Sequence, residues 1–543
     1  MRLLQGFAGM LKCEFAGYNA KRFSKDILAG VTVAAGAFPL ALAFGVSSGA
    51  SAAAGLVTAI IAGLVIGLLS GSSYQIPGPT VAMAALLLPI SAQYGLKGVF
   101  LACLLSGILL VLAGICKLGD IVSFIPLPVI TGFTFGIGVV IMLGQINHLT
   151  GLTSAGEEAA ERIASYFTLP QSFNPTALIV GLAVILLMAF YPKKWAKVCP
   201  ASLMSIILAT ACNILLQLPV ASVGEIPRTL LLGERLTFST LEFRALRGLI
   251  MPAVSIAALG MIEGLLCGAS AGRMKSEKFD PSQELIAQGI GNMVLPFFGG
   301  VPAASAISRT SVGVKAGGQT RLTSIIHSVI LLVSMFAMSS IISKIPLCAL
   351  AGVQIMTAWR MNEWHAIKEI FGKRIMSAIL QFSITMVCTV VFDLTVAIVI
   401  GVLFSVMTFV VKVSNMQVTV SDVIPAKLKG GAAFTEKLLH TSVVYMTGPL
   451  YFGSVRRMED ALTALAGKEQ VVFSLRGVSM ADLSGVQALQ DICARLMGNG
   501  TAVYFASVQP PVQEMFERLD LIERVGQDHF YWSTDQALEQ LAA

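Results

Sequence analysis

The stretch "SSYQIPGPTVAMAALLLP", Ser72–Pro89, lies between two long apolar runs, yet it opens with polar residues and carries prolines at Pro77, Pro79 and Pro89. Inside a bilayer such a break is tolerated only where other protein groups re-satisfy the freed backbone. The rest of the chain supplies a membrane setting. Of 543 residues, 55% are hydrophobic and 12% charged, with a mean hydropathy of +0.80, whereas soluble chains carry about 25% charged residues. Runs long enough for a hydrocarbon core about 30 Å thick recur from Asp26 to about Lys412.

Beyond Val420 the texture changes to frequent charges and short alternating runs. The organisation expected is a cytoplasmic N-terminal segment over 1–25, a transmembrane domain over 26–413, a linker over 414–435 containing Pro425, Lys427 and Lys429, and a soluble domain over 436–543. The first residues are interrupted by charge and lack a small-residue cleavage site, so the N-terminal segment is expected to be retained. The nine cysteines are dispersed without a CxxC pair, and the five histidines are scattered, which points to neither a disulfide framework nor a metal site.

The net charge of +7 reads as topology rather than as a nucleic-acid footprint. Basic clusters stand in Arg2–Lys25, at Lys193, Lys194 and Lys197, at Arg273, Lys275 and Lys278, in Lys368–Arg374, and from Lys412 onward. Placing each on the cytoplasmic side of the plasma (inner) membrane puts both termini inside; the Leu218–Arg247 loop, with mixed charges, falls outside. About fourteen membrane elements result, centred near residues 36, 62, 84, 108, 134, 182, 209, 257, 290, 310, 331, 354, 384 and 403.

Two of these elements are too short to cross: one from about Pro79 to Pro89, the other from about Ser305 to Val314 after "PFFGGVPAAS". By itself Gly-Pro reads equally as a loop; a second break at a matching place favours half-helices. "IPLPVITG" from Ile125 and "IPLCALAG" from Ile345 follow the two breaks at about 45 residues, a weak internal repeat. With an odd number of crossings in each copy, the second enters the bilayer inverted and the half-helices point at each other.

Such paired ends suit an anion. First-turn amides lack intrahelical acceptors, and the macrodipole adds about +0.5 charge at that end. Pro79 suits a first turn, Gly78 permits close backbone approach, Thr80 adds a hydroxyl, Ser305 or Ser308 can do the same opposite it, and Arg309 adds full charge. Arg309 also reads as an interfacial anchor, but its polar company in "SAISRTS" favours the anion field. Glu263, an acid inside "IAALGMIEGLLCGAS", is a coupling or gating candidate, against a purely structural carboxyl. Asp393 reads as a helix-end residue near the outer face. Phe38 and Phe44 flank Pro39, where a kink turns an aromatic edge towards the site or merely packs.

These motifs resemble a known family. "DILAGVTVAAGAFPLALAFGVSSGA", "IPGPTVAM", "GMIEGLLCG", "SQELIAQGIGN", "FFGGVPAASAISRTSVGVKAGGQT" and the C-terminal domain together look like the sulfate permease (SulP) family of anion transporters, over nearly the whole chain. The resemblance implies an α-helical polytopic fold of fourteen segments as a seven-plus-seven inverted repeat, with uracil-permease-like core and gate domains, usually dimeric, followed by a small α/β STAS domain. It implies an anion held by Phe44, Gly78, Thr80, Val81, Ile307, Ser308 and Arg309, with Glu263 at the eighth-segment acidic position. Sodium-dependent bicarbonate members carry an aspartate and a threonine where this chain has Glu263 and Cys267, and a thiol suits sodium poorly, so a proton is the coupling ion expected. "IEGLLC", "VLPFFGG" and "AWRMNEWH" look more like bacterial C4-dicarboxylate carriers.

The tail reads independently as alternating strands and helices, with Asp482 or Ser484 capping the helix of "MADLSGVQALQDICARLMGNG" and one further helix in "PPVQEMFERLDLIERVG". "ADLSG" matches the STAS loop whose serine is phosphorylated in anti-sigma-factor antagonists, which makes Ser484 a regulatory candidate and the domain a candidate contact for a cytosolic partner. No phosphate-binding loop is present, so no ATP-driven mechanism is indicated; neither an enzyme nor a cofactor is expected. The leading expectation is a secondary transporter for sulfate or a related small anion; C4-dicarboxylate or bicarbonate is the alternative cargo, and a membrane-anchored scaffold or anion sensor the alternative class.

Overall fold

The computed structural model describes residues 2–119, 126–152, 165–166, 173–192, 195, 199–237, 246–392, 394–413, 416–423, 436–462, 465 and 467–542. Asp393, the Lys193, Lys194 and Lys197 cluster, Ile125, and Pro425, Lys427 and Lys429 lie outside these residues. The chain divides into two units, Met1–Ser405 and Val406–Ala543.

The first unit is built of helices: α1 (Arg2–Glu14), α2 (Ala20–Ser47), α3 (Ala52–Leu69), α4 (Val81–Ile115), α5 (Leu127–Gly144), α6 (Pro175–Phe190), α7 (Ala201–Leu216), α8 (Leu246–Lys275), α9 (Pro281–Phe298), α10 (Ile307–Lys315), α11 (Leu322–Ala337), α12 (Leu347–Met361) and α13 (Met376–Val391). A last helix, α14 (Leu394–Val413), runs past the end of the unit. Every one of the centres placed from the sequence falls within a helix. By length and apolarity alone, α2, α3, α4, α5 and α8 suffice to cross a membrane. Local signals set their starts: Asn19 accepts from the Arg22 amide and Ser51 from the Ala54 amide. Pro126 and Pro346, from the two halves of the internal repeat, occupy matching extended conformations just before α5 and α12.

The first half-helix differs from expectation at both ends. It starts at Val81, so Pro79 lies just before the helix rather than in its first turn, because Thr80 is extended and its hydroxyl caps the helix by accepting from the Met83 amide. It then runs through Pro89 and turns only at Gly95, whose φ of 67° and ψ of 180° break the helix. The second half-helix begins at Ile307, since Ala304–Ser305 is extended strand.

Helices α4, α8 and α9 pack on one another and α11 packs on α2 and α3, while α12 and α13 pack on α5 and α12 also on α6. Glycines recur every fourth residue along α8 at Gly260, Gly264, Gly268 and Gly272. A Cβ on Gly264 would lie 1.7 Å from Gln288 Nε2, and one on Gly268 would lie 2.6 Å from Gln75 Nε2. This bare face lets polar side chains of the first break and of α9 reach the backbone of α8.

The N-terminal segment is tied to the helical unit. Glu14 and Arg321 are paired at 2.8 Å with side chains 5% and 2% exposed. The Asp26 carboxylate, fully buried, accepts from Tyr18 Oη, from the Gln319 and Thr320 amides, and from the Thr320 and Thr323 hydroxyls at the start of α11.

The second unit contains a five-stranded sheet, β3 (Gln417–Asp422), β4 (Thr441–Thr447), β5 (Gln470–Gly477), β6 (Ala502–Ala506) and β7 (Phe530–Tyr531), in that order, parallel except for the antiparallel β3–β4 pair. β3 corrects the sequence reading, which assigned these residues to the linker: its half-exposed alternation carries too little apolar signal, and only pairing with β4 reveals it. Helix α15 (Leu483–Gly498) is capped by Asp482, which accepts from the Gly485 amide at 2.7 Å, leaving Ser484 exposed and without the capping role. The single helix expected from Pro510 stops at Arg518, because Asp520 takes a left-handed φ of 57° before a short turn over Leu521–Val525.

Candidate anion-binding site

The two breaks meet. Pro77–Gly78 (β1) pairs antiparallel with Ala304–Ser305 (β2), Pro77 opposite Ser305 and Gly78 opposite Ala304. The half-helices α4 and α10 therefore begin from one short ribbon, within three residues of it on each side. Thr80 caps α4, but Ala306 offers α10 no side-chain cap, so the first-turn amides of α10 remain for a ligand.

Arg309 is drawn into the ribbon. It is 5% exposed, donates from Nη1 to Pro79 O at 2.6 Å and from Nη2 to Ala304 O at 3.4 Å, and leaves Nε without a partner among the described residues. Neutral carbonyls thus hold the guanidinium by its two ends without cancelling its charge, and no ion pair to Arg309 occurs among the described residues. Gly78 makes room for it: with φ at 156°, a Cβ there would sit 3.2–3.3 Å from Nη1, Nη2 and Cζ.

Helix α8 braces both half-helices with two residues one turn apart. Half-buried Glu263 accepts from Thr80 Oγ1 at 2.8 Å. Cys267, fully buried, donates to Thr310 Oγ1 at 3.3 Å, and that hydroxyl oxygen also accepts from the Ile76 amide at 3.1 Å. One i,i+4 pair on α8 therefore touches the start of α4 through Thr80 and the first turn of α10 through Thr310.

Of the residues placed from the sequence, Gly78, Thr80, Glu263 and Arg309 come together. Phe44 and Val81 line a neighbouring cavity of about 390 Å³ with Ser47, Gln145 and Gln354. Ile307 and Ser308 are exposed in the first turn of α10. Phe38 packs in the apolar core. Ser305 is not available as a site hydroxyl, since it donates to Glu284 at 3.2 Å. Sequence reasoning missed Thr310, next to Arg309 in "SRTS", and Glu284, which stands in a motif that was noted without a role.

Comparison with known proteins now decides the family: the model of the sulfate permease family matches residues 23–388. The chain belongs to the sulfate permease family. Residues 434–537 match the STAS domain. Among sulfate permease relatives, the chain is 31% identical over 537 residues to "Putative sulfate transporter YvdB" of Bacillus subtilis, covering 96% of this chain and 98% of that one. It is 28% identical to "Bicarbonate transporter BicA" of a Picosynechococcus species, covering 95% and 94%. The transmembrane domain of a cyanobacterial BicA superposes with a TM-score of 0.63 at 27% identity, over 72% of this chain and 98% of that one. The overall structure of SLC26A9 superposes with a TM-score of 0.82 at 18% identity, over 97% and 91%, which establishes the shared fold.

Proposed function

We propose that this sulfate permease family protein is a secondary active transporter that carries sulfate or a related small anion across the plasma membrane by alternating access. The observation that carries the reading is the buried Arg309 guanidinium, which among the described residues is bonded only to the Pro79 and Ala304 carbonyls where two helix N-terminal ends meet. A buried cation without a counterion is costly, and an anion of oxygen donors is the partner that its position and the uncapped α10 amides would take. Thr80, Ser308 and the α10 amides would orient it, with Phe44, Val81 and Ile307 as the surrounding wall and Gly78 admitting the guanidinium.

Coupling to protons is part of the proposal. Glu263 keeps accessible surface, touches the site through Thr80, and within electrostatic reach of Arg309 would partly cancel its field when ionised. Protonating Glu263 restores the positive field that holds the anion, so a proton and the anion load together. Cys267, whose thiol is spent on Thr310, offers sodium a soft ligand, which speaks for protons over sodium. The likeness to BicA keeps bicarbonate as the second cargo. Cytoplasmic termini, a homodimer, a cytosolic partner at the STAS domain and regulation at exposed Ser484 complete the proposal.

Uptake into proteoliposomes tests it, with labelled sulfate competed by fumarate, bicarbonate and chloride, at acid and alkaline pH, with and without sodium. Concentrative sulfate uptake driven by an inward proton gradient is the result expected. Displacement of sulfate as best competitor by bicarbonate or fumarate would reassign the cargo; absence of any anion flux would leave a membrane-anchored STAS scaffold.

A further inference from the structure

We infer that Glu284 is a positioning residue for the anion site, a single carboxylate that sets the two breaks in register; the inference rests on the site as assigned under the proposed function. Glu284 lies in the first turn of α9 and is fully buried. Its Oε2 accepts from Ser70 Oγ at 2.6 Å and from the Gly71 amide at 3.1 Å. Its Oε1 accepts from Gln288 Nε2 at 3.0 Å and from Ser305 Oγ at 3.2 Å. Ser70 and Gly71 are where the chain leaves α3 for the first break, and Ser305 lies in the second break opposite Pro77. One oxygen thus takes each break.

The contacts around it are close. A Cβ on Gly71 would lie 2.1 Å from Asp280 O and 2.9 Å from Glu284 N, so the first break runs directly against the start of α9. Further along the same helix, Asn292 accepts from the Ala303 amide and donates to the Ala303 carbonyl, at 2.8 and 2.9 Å, fixing the approach to the second break. The path from Glu284 to the site is then two residues long: Ser305 is held by Glu284, and the carbonyl of the adjacent Ala304 holds Arg309 Nη2.

A group chosen only to fill this space would not be a carboxylate, since burying one costs several kcal/mol and a well-packed apolar residue avoids that penalty. What a carboxylate supplies is four acceptor positions and no donor. Glutamine has one acceptor oxygen, and its amide nitrogen would confront either the Gly71 N–H, which can only donate, or Gln288 Nε2 beside a Ser305 hydroxyl forced to reverse from donor to acceptor, loosening the hold on one break. A loosened break shifts Ala304 and the α10 amides relative to Arg309, which weakens anion binding.

The test is sulfate uptake by the full-length protein in proteoliposomes, normalised to monodisperse protein, for Glu284→Gln, Ser305→Ala and the double variant. Glu284→Gln is expected to raise KM by roughly tenfold and Ser305→Ala by roughly threefold, each with Vmax within about twofold. Because both act on one linkage, the double variant should match Glu284→Gln alone rather than reach roughly thirtyfold. A wild-type KM in Glu284→Gln, a loss confined to Vmax, or a multiplicative double variant would overturn the inference. If Glu284→Gln does not yield folded protein, Ser70→Ala and Ser305→Ala decide: raised KM at unchanged Vmax supports it, unchanged KM in both overturns it. Wild-type protein that moves no anion at all would instead refute the proposed function.

Discussion

Replacing Arg309 by glutamine removes the full charge between the helix ends while keeping a donor for one of the Pro79 and Ala304 carbonyls. A unit anionic charge about 4 Å from the guanidinium gains about 4 kcal/mol at an effective dielectric constant of about 20. Each helix end left behind supplies about 0.3–1 kcal/mol, up to about 2 in a partly buried geometry. Losing the guanidinium is therefore the larger effect, and about 4 kcal/mol corresponds to roughly a thousandfold in affinity. The assay is sulfate binding to purified protein by calorimetry, paired with initial uptake rates in proteoliposomes. Arg309→Lys should fall between, since a point charge cannot bridge both carbonyls. Glu263→Gln added to Arg309→Gln should recover part of the loss by removing the uncompensated acid. An Arg309→Gln protein that is monodisperse and binds sulfate within about tenfold of wild type would refute the reasoning, because the electrostatic magnitude it rests on would be absent.

Further outcomes follow from the same geometry. Gly78→Ala forces a Cβ against the guanidinium at a strained φ, at about 1–3 kcal/mol, and should raise the KM for sulfate; uptake kinetics at matched protein amount check this. In the wild type, uptake should fall as pH rises, because the proposed coupling has Glu263 load as the neutral acid; Glu263→Gln should make initial rates at saturating anion flat with pH, and a retained pH dependence would remove Glu263 as the proton site. In a soluble fragment spanning 416–543, Asp482→Ala should cost about 1 kcal/mol, or about 4 °C in Tm, through the lost α15 cap. Ser484→Ala in the same fragment should stay within about 0.5 kcal/mol, by differential scanning fluorimetry.

What could be read from the chain was what short-range physics writes locally. Apolar run lengths located the helices, paired Pro and Gly breaks located the half-helices, and an arginine in polar company after the second break and an acid in an apolar run marked the candidate site. Asp482 as a cap and the strands β4, β5 and β6 were legible for the same reason, since each signal lies within a few residues. The end of the first half-helix was misread because Pro89 looks like a stop, whereas packing of α4 against α8 and α9 carries the helix on to Gly95.

The remaining features depend on partners far apart in the chain. Glu284 joins Ser70 to Ser305, Arg321 joins Glu14 across 307 positions, and Thr310 stands between Cys267 and the Ile76 amide. Nothing in "SQELIAQGIGN" distinguishes an acid at a solvated helix start from one buried under four donors, because a side chain's burial is set by whatever folds over it. The sequence by itself determined that two positive helix ends would exist in the membrane. Only the tertiary structure decided that they spring from one ribbon with Arg309 inside it, since that requires hydrogen bonds between residues separated by more than two hundred positions.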